Sequence, residues 1–466
     1  FPTGQIELNG AITRDDLMPG ETRGYLFVDG AFRIPLDFGL TLKGQTVSDP
    51  AYLLDYGLGY IDRLDSRIEV SRTRRTENIS ARIISFQTLR EDEDNTTIPS
   101  LIADLTYHRR FFPGVVGGEA GLQLQTHNHY RSSTDPLDGP DRDDIADGRD
   151  LGRISARADW RRSFLLSTGI EATILGNITA DAYNIDQDAI FQGSTTRTHG
   201  NAGVELRWPL VKAEAGGGVQ VIEPVAQAIW SSSGDEVLPN EDSVLVEFDE
   251  GNLFSLDRFP GSDAVERGPR VNLGVSWTRY FPSGQSMGVT VGRVFREADL
   301  GQFGPGSGLD GKTSDWLATV NFDLSEGLAL TARTVVDDDL NLTKGEARMV
   351  YSDQRTAVAG SVIWAVADPL ENRTIPTEEV AFDARRKLHP NWTAKVSGRY
   401  DFVAEQGSVA GLGLEFINEC VLFDVSLSRR FTSSTSVTPT TDFNLSLDLV
   451  GFGGSGGGGP ARTCRQ

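Results

Sequence analysis

The segment Ala318-Thr319-Val320-Asn321-Phe322-Asp323-Leu324, followed by Ser325-Glu326-Gly327, decides the fold. Successive side chains of an extended chain point to opposite sides. Ala318, Val320, Phe322 and Leu324 therefore share one face, and Thr319, Asn321 and Asp323 share the other. The alternation predicts a strand dividing an apolar medium from a wet one, and Ser325 to Gly327 predicts a turn into the next strand.

The same period returns on both sides of this segment. Val204, Leu206 and Trp208 alternate with Glu205 and Arg207, and Val271, Leu273, Val275 and Trp277 with Asn272, Ser276 and Thr278. Val396, Tyr400 and Phe402 oppose Lys395, Ser397, Arg399 and Asp401; Val421, Phe423, Val425 and Leu427 oppose Asp424, Ser426 and Ser428. The last such run is Phe443, Leu445, Leu447 and Leu449. About 22 segments of this kind, each of roughly 9 to 13 residues, are bounded by Gly, Asp, Asn, Ser or Pro, with almost no helix-period stretches. Alternation alone does not separate a soluble sandwich from a barrel whose apolar face meets lipid. The number of strands and the aromatic residues at their ends (Tyr107, Trp160, Trp230, Tyr280, Trp364, Trp392, Tyr400) favour the barrel, in which such residues form interfacial girdles. The expectation is an all-β, large antiparallel transmembrane β-barrel over residues 1–450, with a flexible Gly-rich tail over 451–466.

Composition agrees. Of 466 residues 38% are hydrophobic, and no stretch approaches the 18 or so apolar residues of a membrane helix, which excludes helical spans. The net charge of 44 − 66 = −22 opposes nucleic-acid binding, which needs surplus Lys and Arg. A mean hydropathy of −0.27 suits a barrel whose polar residues occupy lumen and loops. Phe1 to Gln5 carries no basic start and no apolar run, so the chain reads as mature or as a fragment, the latter preferred. Cys420 and Cys464 are too few for a disulfide scaffold and lack zinc-site spacing.

Polar stretches at 91–97, 134–150, 234–270 and 301–312 are expected to be surface loops, with short turns such as 325–327 facing the periplasm. Gly284-Gln285-Ser286-Met287-Gly288 matches the nucleophile-elbow pattern, but it runs into Val289, Val291 and Val294 rather than a helix, and reads as a hairpin turn. A lipid hydrolase using Ser286 with His108, His127, His129, His199 or His389 is therefore a remote alternative. The Gly-rich runs have no helix behind them to hold phosphate. His127 and His129 share a strand face without a third metal ligand and read as a lumen-facing polar pair. Asp135, Asp138, Asp141, Asp143, Asp144, Asp147 and Asp150 are hard donors suited to calcium, but their spacing departs from the EF-hand and the loop reads as solvated. Pro35, Pro209 and Pro224 each read as a strand end. No cofactor or catalytic residue is expected.

Three motifs carry a resemblance. Val47-Ser48-Asp49-Pro50-Ala51-Tyr52-Leu53-Leu54-Asp55 resembles the V-S-D-P-x-Y-x-x-D segment of the LptD family of lipopolysaccharide-assembly proteins. Glu223-Pro224 with Ala226-Gln227 is similar to its E-P-x-A-Q strand. Leu253-Phe254 with Arg258, Gly261 and Asp263 is similar to its L-F-x-x-x-R-x-x-G-x-D segment. Gly413-Leu414-Glu415-Phe416 before Cys420, and Asn444 to Leu449 before Gly451, resemble its final strands.

The resemblance implies lipopolysaccharide transport across the outer membrane of a Gram-negative bacterium, through a polar lumen and a lateral gate between first and last strands, without enzymatic chemistry. It implies a barrel of 26 strands, so the first strands and a periplasmic jelly roll are expected to be missing here. Phe443, Leu445, Leu447 and Leu449 would form one gate edge. Implied partners are lipopolysaccharide, an LptE-like plug lipoprotein, an LptA-like periplasmic bridge acting through the jelly roll, and the barrel-assembly machinery. The family often has adjacent cysteines near the penultimate strand that bond to the jelly roll; here Glu419 takes one position and Cys420 the other. Cys420 would bond upstream with Cys464 making a second bridge, or the two would bond to each other. The alternative function is a passive outer-membrane channel.

Overall fold

A computed structural model describes residues 3–449 except 57, 60, 91–92, 141–142, 144, 233–236, 325–326, 372, 419 and 431–440. The expected turn residues Ser325 and Glu326, Asp141 and Asp144, Glu419, the 451–466 tail and Cys464 lie outside the described residues.

The first strands are β1 Gly4–Thr13, β2 Arg23–Ile34, β3 Phe38–Val47, β4 Arg63–Arg74, β5 Glu77–Thr88, β6 Leu101–Phe111 and β7 Glu119–Tyr130. Then come β8 Asp150–Leu165, β9 Glu171–Asp186, β10 Gly193–Arg207, β11 Leu210–Ala213, β12 Val219–Ser231, β13 Arg270–Tyr280 and β14 Ser286–Arg296. The wall continues with β15 Trp316–Leu324, β16 Leu328–Val336, β17 Leu342–Ser352, β18 Thr356–Ala365 and β19 Thr377–His389. It ends with β20 Trp392–Asp401, β21 Gln406–Ile417, β22 Val421–Arg430 and β23 Thr441–Leu449. One α-helix is present among the described residues, α1, at Tyr52–Asp55.

The 23 strands of the described residues belong to one antiparallel sheet. β10 and β11 both pair with β12, at Val225–Ser231 and Val219–Ile222, so they are two pieces of one stave and the wall has 23 − 1 = 22 staves. The break between them holds Pro209. Opposite it stands Pro224, whose carbonyl accepts the Trp208 N–H at 3.1 Å. A residue's N and O point to the same side of an antiparallel ladder. The missing N–H of Pro224 therefore faces Trp208, whose carbonyl loses one ladder bond at the break in the stave. This corrects one expectation, since Pro224 lies inside β12 rather than at its end; Pro35 does open the turn after β2.

The decisive segment is β15. It pairs Val320 with Val289 and Ala332 on one face, and Asn321 with Gly288 and Thr331 on the other. Val320, Leu273, Val204 and Ile178 are exposed on the outer face, where lipid takes the place of water. Short connections such as Arg75–Thr76 and Phe281–Gln285 lie at one end of the staves, and the long polar stretches lie at the other.

Chain order is also spatial order, and among the described residues no ladder joins β1 to β23. Phe443, Leu445 and Leu447 of β23 are exposed at that edge, while the Leu449 side chain lies outside the described residues.

In the full-length protein, Val320→Arg is expected to lower unfolding stability in vesicles by about 2–4 kcal/mol, the cost of a cation on the lipid face near mid-bilayer. Asn321→Arg, one residue on and facing the lumen, is expected to change it little. Equal effects would contradict the assignment of faces.

Candidate functional site

The candidate site is the lumen under the long-loop end. Apolar residues are out of place on the inner wall of a wet barrel, yet Val294 of β14, Leu317 of β15 and Val335 of β16 are inward and buried. They are covered by the connection between β12 and β13, which turns into the lumen and contributes Val246, Phe248 and Leu253 to the same cluster. Phe303 and Leu309 of the β14–β15 connection complete it. Two stretches expected at the outer surface thus form a cap inside the mouth. They fold inward because these inner-wall side chains offer apolar area to bury.

Charge holds the cap to the wall. Glu266, 0% exposed, accepts from Arg258 at 2.7 Å and Arg296 at 3.2 Å and lies 3.5 Å from Arg270. Burial pushes its carboxyl up, but the three guanidinium groups more than offset this and hold it below the usual range. Arg258 also donates to the Leu253 carbonyl at 2.7 Å, pinning the cap's apolar tip. Further along, Asp263 accepts from Arg153 of β8 at 2.6 Å and from the Glu241 and Asp242 backbone N–H groups at 3.0 and 3.2 Å. Glu241 takes Arg131 at 2.6 Å and Arg149 at 3.1 Å. Arg333 of β16 reaches Glu250 at 2.8 Å, and Lys344 of β17 reaches the Val246 carbonyl at 3.0 Å. The cap is therefore tied to staves from β8 to β17.

Two of the sequence motifs meet here. Gln227 donates to Glu205 at 2.8 Å and to the Phe254 carbonyl at 2.9 Å, and accepts from Asn272 at 2.7 Å. Glu223 pairs with Arg207 at 3.0 Å. Gly261 admits no side chain, because a Cβ there would lie 2.0 Å from Asp242 Oδ1.

The third motif builds a separate cluster around Arg23, a residue that the sequence pattern did not single out. Arg23, 2% exposed, donates to Asp49 at 2.9 and 2.8 Å and to Asp55 at 2.6 Å. Ser48 accepts the Gly24 N–H at 2.9 Å and donates to Asp49 at 2.7 Å. Tyr52 and Leu53 are fully buried with Leu64 and Leu89, and Val47 packs against them; Pro50 lies in the turn before α1. Leu54 and Gly59, further along this connection, face the inner wall near Ser397, Gly411, Ser426 and Asn444 across a cavity of about 610 Å³, which reaches β23.

His127 and His129 face the lumen, with His127 Nδ1 2.7 Å from Asp104 and His129 Nε2 2.9 Å from Arg131. Asp135, Asp143, Asp147 and Asp150 accept backbone N–H groups of their own loop, which uses them as turn formers. Gly284, at φ 84°, donates to the Phe281 carbonyl in a hairpin turn, and among the described residues no hydrogen bond joins Ser286 to a histidine. Cys420 sits in the turn before β22, its N–H donating to Asn418 at 2.9 Å, and no described cysteine is free.

A family model described as LPS transport system D matches residues 21–392. The chain belongs to the LptD family. It is 22% identical over 459 residues to the LPS-assembly protein LptD of Vibrio cholerae, covering 90% of this chain and 57% of that protein. It is 26% identical over 251 residues to that of Marinobacter nauticus, covering 51% of this chain and 30% of that protein. The chain thus spans little more than half of the first relative's length. Among solved structures it is similar to the copper transporter OprC (TM-score 0.44, 12% identity, 95% of this chain and 78% of that one). It is also similar to the siderophore receptor PirA of Pseudomonas aeruginosa (TM-score 0.48, 9% identity, 95% and 79%). LptD membership places the barrel in the outer membrane of a Gram-negative bacterium.

Two outcomes follow for the cap. Glu266→Ala leaves three buried arginines without their shared anion, a loss of about 3–5 kcal/mol. Protease added to intact cells should then cut within 237–268 far faster than in the parent; unchanged cutting would contradict the anchoring role. Asp257 is pushed up by burial to about 6, above its unfolded value near 3.8. Its stabilising share is full below 3.8 and lost as pH rises through 6. Asp257→Asn keeps an acceptor for the Phe259 and Glu266 N–H groups, so it should slow cap proteolysis clearly more at pH 8 than at pH 5.

Proposed function

We propose that this chain is the barrel of a lipopolysaccharide transporter, passing the saccharide through its polar lumen and releasing the acyl chains sideways at the edge of β23. The observation that carries the reading is the combination, in an LptD family chain, of a capped polar lumen and a cavity that reaches an edge strand paired on one side. Relatives of this chain carry the name LPS-assembly protein. An amphiphile with charged sugars and several acyl chains needs a polar path and an apolar exit at once, and a barrel with an opening seam supplies both. A seam strand held by one ladder opens at lower cost than a strand held by two.

In this reading residues 1–450 form the barrel domain and 451–466 a tail. Phe443, Leu445, Leu447 and Leu449 line one gate edge. An LptE-like lipoprotein occupies part of the lumen, an LptA-like bridge delivers lipid through an upstream periplasmic domain, and the barrel-assembly machinery inserts the protein. Cys420 and Cys464 are disulfide cysteines, formed in the oxidising periplasm. No step requires covalent chemistry. A passive channel would need an open mouth, which the cap occupies.

Depletion of the full-length protein in its own cells is expected to stop newly made lipopolysaccharide from reaching a surface-only probe while other barrels still insert. Continued arrival would overturn the transport reading in favour of a passive channel.

A further inference from the structure

Beneath the cap, on the side away from its apolar cluster, lies a small polar cavity of about 120 Å³. Its wall is two consecutive rungs of the sheet. One rung aligns Gln123, Arg157, Thr179 and His199 across β7 to β10; the next aligns Gln125, Ser155, Asp181 and Arg197. Its roof is the cap backbone at Gly261, Ser262, Ala264 and Val265, with Asp257.

Two buried, unpartnered polar atoms, beside a lumen-facing cation, set this cavity apart from an ordinary wet surface. Ser155 is 8% exposed, and its hydroxyl has no hydrogen-bond partner. His199 Nδ1 is also unpartnered, lying 3.6 Å from Asp181, beyond hydrogen-bond reach. The Arg157 guanidinium, on the same rung as His199 and exposed to the lumen, makes no ion pair or hydrogen bond among the described residues. Asp181, by contrast, is already engaged by Arg197 at 2.8 Å. The wall thus presents a lumen-exposed cation together with hydroxyl, amide and imidazole groups, of which the Ser155 Oγ and His199 Nδ1 atoms are buried and unsatisfied. Buried polar groups without partners are costly, so their retention points to an oxygen-rich occupant.

We propose that this cavity is a subsite for an anionic, hydroxylated saccharide, a phosphorylated or carboxylated sugar, held by Arg157 at its charged group and by Ser155, Thr179, Gln123 and Gln125 at its hydroxyls. Sugar hydroxyls both donate and accept, which matches amides and hydroxyls, while the planar guanidinium matches a phosphate or carboxylate edge. A small inorganic anion would use Arg157 and leave most of the other groups idle. The cavity has no room for a whole lipid and suits the head of one. The proposal rests on the transport reading for its source of ligand but is separable from it, because a transporter can lack this subsite.

The test uses the full-length protein in detergent micelles and measures the binding of three probes: the phosphorylated oligosaccharide from complete deacylation of lipopolysaccharide, the same oligosaccharide after dephosphorylation, and inorganic phosphate. The parent should bind the phosphorylated oligosaccharide tightest. Arg157→Gln should weaken that probe by about tenfold and leave the dephosphorylated one unchanged, whereas Ser155→Ala should weaken both by about threefold. Heat-modifiable migration confirms that each variant is a folded barrel, and Ser155→Ala is nearly isosteric. No oligosaccharide binding by the parent, identical affinities in the folded variants, or phosphate bound as tightly as the oligosaccharide would each overturn the proposal. Surface arrival of lipopolysaccharide in depleted cells reports on transport independently, so the two readings fail separately.

Discussion

In hydrocarbon no water is available to satisfy a backbone N–H or C=O, so every strand that meets lipid has to find its partners in neighbouring strands. The 22-stave meander of this chain follows from that constraint. Each interior strand is held by a ladder on both sides, interrupted beside Pro224 where the facing stave breaks between β10 and β11. Among the described residues no ladder joins β1 to β23, and there the wall has its weakest line. The same rule that makes the barrel rigid elsewhere gives an edge strand its capacity to open.

The second organising effect is the treatment of side chains that break the pattern. A lumen lined by Gln, Thr, Asn and Arg needs no cover, but Val294, Leu317 and Val335 do, and the cap supplies it. Once the cap is inside, its own charges leave bulk water and each requires a counter-charge from the wall. Glu266 with three arginines, Asp263 with Arg153 and Glu241 with Arg131 and Arg149 meet that requirement. Replacing such pairs with apolar residues of similar volume is often neutral for stability, so their role here is to set where the loop sits rather than to add net stability.

The strands were legible because period-two alternation is a local signal, readable in Ala318 to Leu324 without knowledge of any neighbour. The three motifs were legible as strings, but their meaning was not. Arg23 lies 26 residues before Asp49, and Arg153 lies 110 residues before Asp263, separations that no local pattern spans. Val294 and Leu317 stand out of phase with the apolar positions of their own strands, and that is the signal for the cap. Pro224 was misplaced for a related reason: its lost bond falls on Trp208, at the break in the facing stave, a partner that only the register reveals.

The most direct test of the account asks which side of the wall the lipid's sugars travel along. A photo-crosslinking residue at Asn321, facing the lumen, and another at Val320, facing the bilayer, would be activated in living cells that are making lipopolysaccharide. The account predicts saccharide adducts at Asn321 that disappear when lipopolysaccharide synthesis is blocked. Saccharide adducts at Val320 with none at Asn321 would contradict it.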